Sequence, residues 1–237
     1  MNLKEHYNKL YQDSIQEIQS DSYQVDKLID SDNDKRFGIT LLLRPDNSVM
    51  VNIQQFLSEI RVIEPNQFFY RDSDLHVTVM SIISCYDGFN LNQIRIEDYV
   101  ETIKKSIMGI DCFKIEFRGL TASPSCLMIQ GFLENNALNQ IRDNLRVNFN
   151  DTGLQQSMDK RYAIQTAHST ILRLKHQLSN KELFLKKVNE FRDIHFGTFE
   201  VDKLELVFND WYQRKEYVKT LYQFKLKYKR SLTRGHI

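Results

Sequence analysis

The chain has 237 residues, enough for one large domain or two lobes around a shared core. Hydrophobic residues at 41% and charged residues at 27% exclude a disordered chain, and no run nears the ~18 apolar residues of a membrane span. The net charge of +1 conceals a basic end: Lys219, Lys225, Lys227, Lys229, Arg230 and Arg234 give the last 21 residues +6, so the remainder carries −5. Such an end suits either an anionic partner or a solvated terminal strand. The start, MNLKEHYNKLYQDS, has no apolar segment, so no signal peptide is expected, and Cys85, Cys112 and Cys126 form no CxxC pair. Both features predict a cytoplasmic protein with reduced thiols.

Leu3, Tyr7, Leu10, Ile15 and Ile18 predict a helix to about Ser20, within an N-terminal helical extension over 1–30. The polar linker DSDNDKR leads to FGITLLLRP, a buried strand stopped by Pro45. Ile53, Phe56, Leu57 and Ile60 then share a helical face, with Asn47 or Ser48 as its cap. A histidine-bearing strand, DLHVTVMSII (Asp74–Ile83), follows. The next helix aligns Ile96, Val100, Ile103 and Ile107, with Glu97 and Asp98 in its first turn. CFKIEFRGL alternates as a strand and turns at TASPS.

The order then repeats. CLMIQGFL is a strand, and ALNQIRDNLRVNF is a helix aligning Leu138, Ile141 and Leu145. A loop through Gly153 leads to a second histidine strand, TAHSTILRL (Thr166–Leu174). NKELFLKKVNEFRDI turns Leu183, Phe184, Val188 and Phe191 inward, FEVDKLELVF reads as one strand, and YVKTLYQFKLKYK pairs with it. Each half reads strand, helix, histidine strand, helix, strand, with about 39 residues from Phe37 to His76 and about 41 from Leu127 to His168. Matching order and spacing predict a duplicated α+β unit: one bilobal domain over 31–237, with repeats at about 37–120 and 126–228.

Alternation along a strand places His76, Thr78 and Met80 on one face, and His168, Thr170 and Leu172 on one face of the other. If the halves face each other, both pairs converge in a cleft. Two imidazoles there suit coupled proton transfer, one accepting from water or a hydroxyl and one donating to a leaving oxygen. The threonine hydroxyls can donate to a phosphoryl oxygen. One His-x-Thr alone is a weak signal, since half-buried histidines bonded to neighbours are common; its repetition at matching positions favours catalysis. His176 and His195 have no metal-ligand spacing, and the chain has no Gly-x-Gly-x-x-Gly or P-loop, so neither metal nor other cofactor is expected. Ser169 falls on the other strand face and is discounted as a nucleophile. Phe37, Tyr70, Tyr162 and Trp211 flank the strands and are candidates to stack a nucleobase, with core or rim packing as the alternative.

The segments HVTV (His76–Val79) and HSTI (His168–Ile171) resemble the paired His-x-Thr/Ser-x motifs of the two-histidine (2H) phosphoesterase superfamily, which includes 2'-5' RNA ligase-like proteins and cyclic phosphodiesterases. FKIEFRGL resembles that family's strand ending in glycine, and the resemblance spans about Phe37 to Tyr228. It implies two antiparallel sheets facing a central cleft with helices on the outer faces. It also implies His76 and His168 as general acid and base, with Thr78 and Thr170 holding phosphate. The substrate it implies is a nucleotide or RNA end with a 2',3'-cyclic phosphate or a 2'-5' linkage, cleaved by a monomer, with ligation as the reverse reaction. The ligase-like branch often carries an arginine after its second motif, and Arg173 stands there as an implied phosphate clamp. Strand alternation, however, puts Arg173 opposite His168. The first motif runs into MSIISCYDG instead of that branch's glycine-containing turn, which leaves the subfamily open. The rival readings are a non-catalytic RNA-end binder and a metal-free acid/base enzyme on sugars, of the mutarotase kind.

Overall fold

The computed structural model describes residues 2–160 and 163–228. In chain order the elements are α1 (Leu3–Gln19), β1 (Arg36–Leu43), α2 (Asn47–Ile63), β2 (Phe68–Phe69), β3 (Val77–Asp87), α3 (Ile96–Ile107), β4 (Phe113–Ser123), β5 (Cys126–Leu133), α4 (Ala137–Asn150), β6 (Ser169–Arg173), α5 (Lys181–Glu190), β7 (His195–Val201), β8 (Lys203–Asp210) and β9 (Lys219–Lys225). One sheet runs β3-β1-β8-β9 and the other β2-β6-β5-β4-β7, every pairing antiparallel. Helices α3 and α4 pack on the first sheet, α1 and α2 pack on the second, and α5 packs against α1 and α2.

In α2 the apolar stripe expected from helical spacing is the buried one. Val49, Ile53, Phe56, Leu57 and Ile60 of α2 are all buried. The cap of α2 is Asp46, one residue earlier than the expected Asn47; its carboxylate accepts from Val49 N at 2.9 Å and also receives the Ser48 hydroxyl. In α5, Phe184 and Val188 are buried, but Leu183 is 41% exposed, so the inward face is narrower than its periodicity implies.

Strand identity was legible in the sequence, but strand partnership departs from contiguous halves. β4 lies in the first half, yet it turns back at Pro124–Ser125 to pair with β5, with Ser123 opposite Cys126. The stretch expected as one strand, FEVDKLELVF, breaks at Asp202: β7 pairs with β4 in one sheet, and β8 pairs with β1 in the other. β9 then pairs with β8 as expected. Alternation reveals which residues are extended, whereas the partner is chosen by the tight turn and by the open edge available.

The N-terminal segment is built into this core. Helix α1, capped by Asn2, packs on β4, with Tyr7 and Ile18 buried. The Tyr7 hydroxyl donates to Gly131 O at 3.4 Å and accepts from Gly131 N at 3.3 Å, and Thr121 Oγ1 donates to Tyr7 O at 3.1 Å. No helix among the described residues is long and apolar enough to cross a membrane.

Gly131 also lets the chain before His168 pass over β5. A Cβ there would lie 1.9 Å from Ala167 O, a backbone atom that cannot swing aside. Gly131→Ala should therefore cost about 1–3 kcal/mol or more, the usual penalty of overpacking. Urea unfolding measures the loss, and a variant as stable as the parent would contradict the close approach.

Candidate active site

Both motif histidines stand one residue before their strand begins. His76 precedes Val77 of β3 and His168 precedes Ser169 of β6. Val77 and Ser169 are fully buried, and the flanking His76, Thr78, His168 and Thr170 are half-buried on the opposite side.

Beyond the threonines, each strand carries one extra residue. In β3, Thr78 faces Leu42 and Met80 faces Leu41, so Val79 bulges. In β6, Thr170 faces Met128 and Leu172 faces Leu127, so Ile171 bulges. A bulge inverts the alternation that follows it. Met80 and Leu172, expected beside the histidines, are therefore turned into the core at 1% and 0% exposure. Arg173 pairs with Cys126, which shares a face with Met128, so the arginine lies on the face of Thr170 and not opposite it. The same inversion brings Ser81, paired with Thr40, onto the face of Thr78.

Each imidazole is anchored through Nδ1 to the residue two positions earlier. His76 Nδ1 lies 2.7 Å from Asp74 O, and His168 Nδ1 lies 2.7 Å from Thr166 Oγ1. A carbonyl only accepts, so His76 Nδ1 carries the hydrogen and neutral His76 leaves Nε2 bare. The Thr166 hydroxyl can donate or accept, so His168 is accommodated in either tautomer and as imidazolium. Burial lowers His76 from 6.5 to about 4; Asp74 O opposes this, and the charges of Arg44, His168 and Arg173 add to it. Burial also lowers His168 to about 4, with Arg142 and His6 adding their charge.

Arg173 is held in place. Its Nε donates to the Tyr70 hydroxyl at 3.0 Å, its Nη1 lies 3.7 Å from Asp26 Oδ2, and the Tyr212 ring lies 5.5 Å away. Burial works against the guanidinium charge, but Tyr70, Cys126 and Asp26 outweigh it and keep the group protonated.

Comparison with solved structures places this architecture. A Thermus thermophilus protein, TT0787, superposes with a TM-score of 0.59 at 14% identity, over 82% of this chain and 99% of that one. E. coli LigT, crystallised with 3'-AMP, gives 0.54 at 10% identity, over 81% and 99%. A protein described as a phosphoesterase gives 0.51 at 12%, over 81% and 99%. The chain has a LigT-like fold. No protein-family model matches the sequence, and no curated protein matches it.

Within the LigT-like fold, the stacking candidates fare unevenly. Tyr70 is only 2% exposed, its ring edge-on to Phe68, so it offers no face to a base and serves Arg173 instead. Phe37 already stacks on Phe208 at 5.0 Å between centroids, and Arg36 lies over the half-buried Trp211 at 4.6 Å. Tyr162 lies outside the described residues. Among the described residues no three His, Cys, Asp or Glu side chains come together as a metal site. Cys85 and Cys126 are buried.

Several residues around the histidines escaped the sequence reading. Arg44 donates to Ser73 O at 2.7 Å and Leu75 O at 3.2 Å, gripping the approach to His76, and is balanced by Glu205 at 3.1 Å. On α1, His6 is near enough to act on His168. Arg142 of α4 is 1% exposed and bonded to three backbone carbonyls. A signal for Arg142 existed: it falls on the stripe Leu138, Arg142, Leu145, Phe149, whose spacing marks the buried face.

The lowered histidines link folding to pH. Unfolded histidine titrates near 6.5 and the folded rings near 4, so between these values the unfolded chain binds more protons. Stability should fall as pH drops from about 6.5 to 4, by up to about 3 kcal/mol per ring at 1.36 kcal/mol per pH unit. His76→Asn and His168→Asn should each flatten that slope in urea melts at successive pH values. An unchanged slope in both variants would mean the rings are not held neutral by burial.

Proposed function

We propose that the protein is a metal-independent phosphoesterase that opens a 2',3'-cyclic phosphate or cleaves a 2'-5'-linked nucleotide or RNA end. The observations supporting this reading are that both motif imidazoles are anchored through Nδ1, that Arg142 bonds Thr78 O and Thr166 O and so brings the two motif segments together, and that half-buried Arg173 lies on the strand face of Thr170. The fold neighbour E. coli LigT, crystallised with 3'-AMP and with phosphate, supports a nucleotide phosphate as the ligand class. The acting unit is the bilobal domain over 31–237 with its helical extension over 1–30, working as a cytoplasmic monomer.

In the free protein both rings are neutral near pH 7. A phosphate anion between them favours their charged forms, so its arrival lets one ring take up a proton. The neutral ring then accepts the proton of the attacking water as its oxygen bonds to phosphorus. The imidazolium gives its proton to the ester oxygen as the P–O bond breaks, which leaves a phosphomonoester and reverses the two protonation states. Arg173 offsets charge on the non-bridging oxygens, and Thr78 and Thr170 donate to them.

Adenosine 2',3'-cyclic phosphate is the direct test. His76→Ala and His168→Ala should each lower kcat by ~10²–10⁴-fold, and the double variant by less than the product. Thr78→Ala and Thr170→Ala should each remove a charge-assisted hydrogen bond worth about 1.5–3 kcal/mol. Turnover should survive excess EDTA. Binding of 3'-AMP without any turnover would favour the RNA-end binder, and histidine variants that keep wild-type turnover would end the acid/base reading.

The arginine of the clamp has its own test. Arg173→Ala should raise KM and lower kcat together, while Tyr70→Phe should do the same more mildly by loosening the guanidinium. Equal kinetics for Arg173→Ala and the parent would remove Arg173 from the site.

A further inference from the structure

Arg142 is a cation sealed inside the protein, and its contacts join the two half-sites. Its Nε donates to Val79 O at 3.0 Å, and its Nη2 donates to Thr78 O at 2.9 Å and to Thr166 O at 2.8 Å. The first two carbonyls belong to the first histidine motif. The third belongs to the residue whose hydroxyl anchors His168.

Successive carbonyls of a regular strand point to opposite sides, so Thr78 O and Val79 O could not both face one guanidinium. The bulge at Val79 turns them to the same side. At the matching bulge in β6, Ile171 O accepts instead from Tyr70 N at 3.0 Å, on the segment that follows β2. β3 is an edge strand with no such neighbour beside its motif. A planar fork with several donors fills that place, and it also reaches across to the segment leading into β6.

We propose that Arg142 is a positioning residue that fixes the first motif strand and the His168 anchor in one register, so that both imidazoles keep their spacing across the cleft. This rests on the phosphoesterase reading only for its kinetic consequence; the bridge itself is a property of the folded chain. Arg142 touches no reacting atom in this role. Its charge also acts on His168, alongside that of His6 on α1, and burial brings Arg142 itself down to about 10.

The test compares Arg142→Lys with Arg142→Met. Lysine keeps the charge but cannot span three carbonyls; methionine loses both charge and donors. On adenosine 2',3'-cyclic phosphate both should lower kcat, by up to ~10²-fold as for small misplacements of reacting groups, with little change in KM. Imidazole NMR read without substrate should show the His76 and His168 resonances displaced together in both variants. The His168 midpoint should rise in Arg142→Met, where a neighbouring positive charge is gone, and stay nearer the parent value in Arg142→Lys. If Arg142→Met does not fold, the lysine variant carries the comparison. A folded variant in which only one histidine resonance moves, or in which both stay at their parent positions, overturns the bridge. Displaced resonances in a protein that never turns over a cyclic phosphate would uphold the bridge and reject the phosphoesterase reading instead.

Discussion

Side chains of an extended strand alternate between two faces, and one inserted residue reverses everything beyond it. The site depends on that constraint being broken at two matching points. Val79 and Ile171 each follow a motif threonine and each bulge. Without the second bulge, Arg173 would point away from the cleft and Leu172 would point into it. With it, the strand offers histidine, threonine and arginine to one side while Ile171 and Leu172 remain in the core. The two halves then differ in one respect, since Ser81 stands where the second half has Arg173. The two motif strands, alike up to their bulges, thus differ in charge just beyond them, with Arg173 on one and Ser81 on the other.

The electrostatics follow from burial and from like charge. Arg44, Arg142 and Arg173 each act on one of the two rings, and all three oppose protonation. These cations and burial hold both rings as neutral bases; under the proposed function, an arriving phosphate would supply the missing negative charge and couple ligand binding to proton uptake. The arginines are themselves stabilised away from the cleft, Arg44 by Glu205 and Arg173 by Tyr70 and Asp26. Asp26 also accepts from the Tyr212 hydroxyl at 2.9 Å, which ties Arg173 to the end of β8.

The N-terminal segment contributes more than an appendage would. Tyr7 holds Gly131, which the chain before His168 crosses, and Asp26 N donates to Leu174 O just beyond β6. Residues far from the motifs in sequence therefore brace the second half-site, and substitutions in α1 are expected to be felt at His168.

Periodicity was enough to determine the α+β class and most of the helical faces, and the doubled His-x-Thr spacing to single out two motifs that the fold brings together through Arg142, because these depend on local rules: alternation, helical pitch and turn chemistry. The face of Arg173, the sheet membership of β4 and β8, and the tie made by Arg142 depended on tertiary structure. A bulge leaves no mark in a run of branched apolar residues such as VTVMSII, since every register buries something suitable. A strand's partner is decided by which edge is open once the chain has folded. The stripe of α4 places Arg142 on the inner face, but the carbonyls it satisfies lie 63 and 24 positions away and are known only once they are brought to it. These are interactions between segments, and a single chain read in order carries no record of which segments meet.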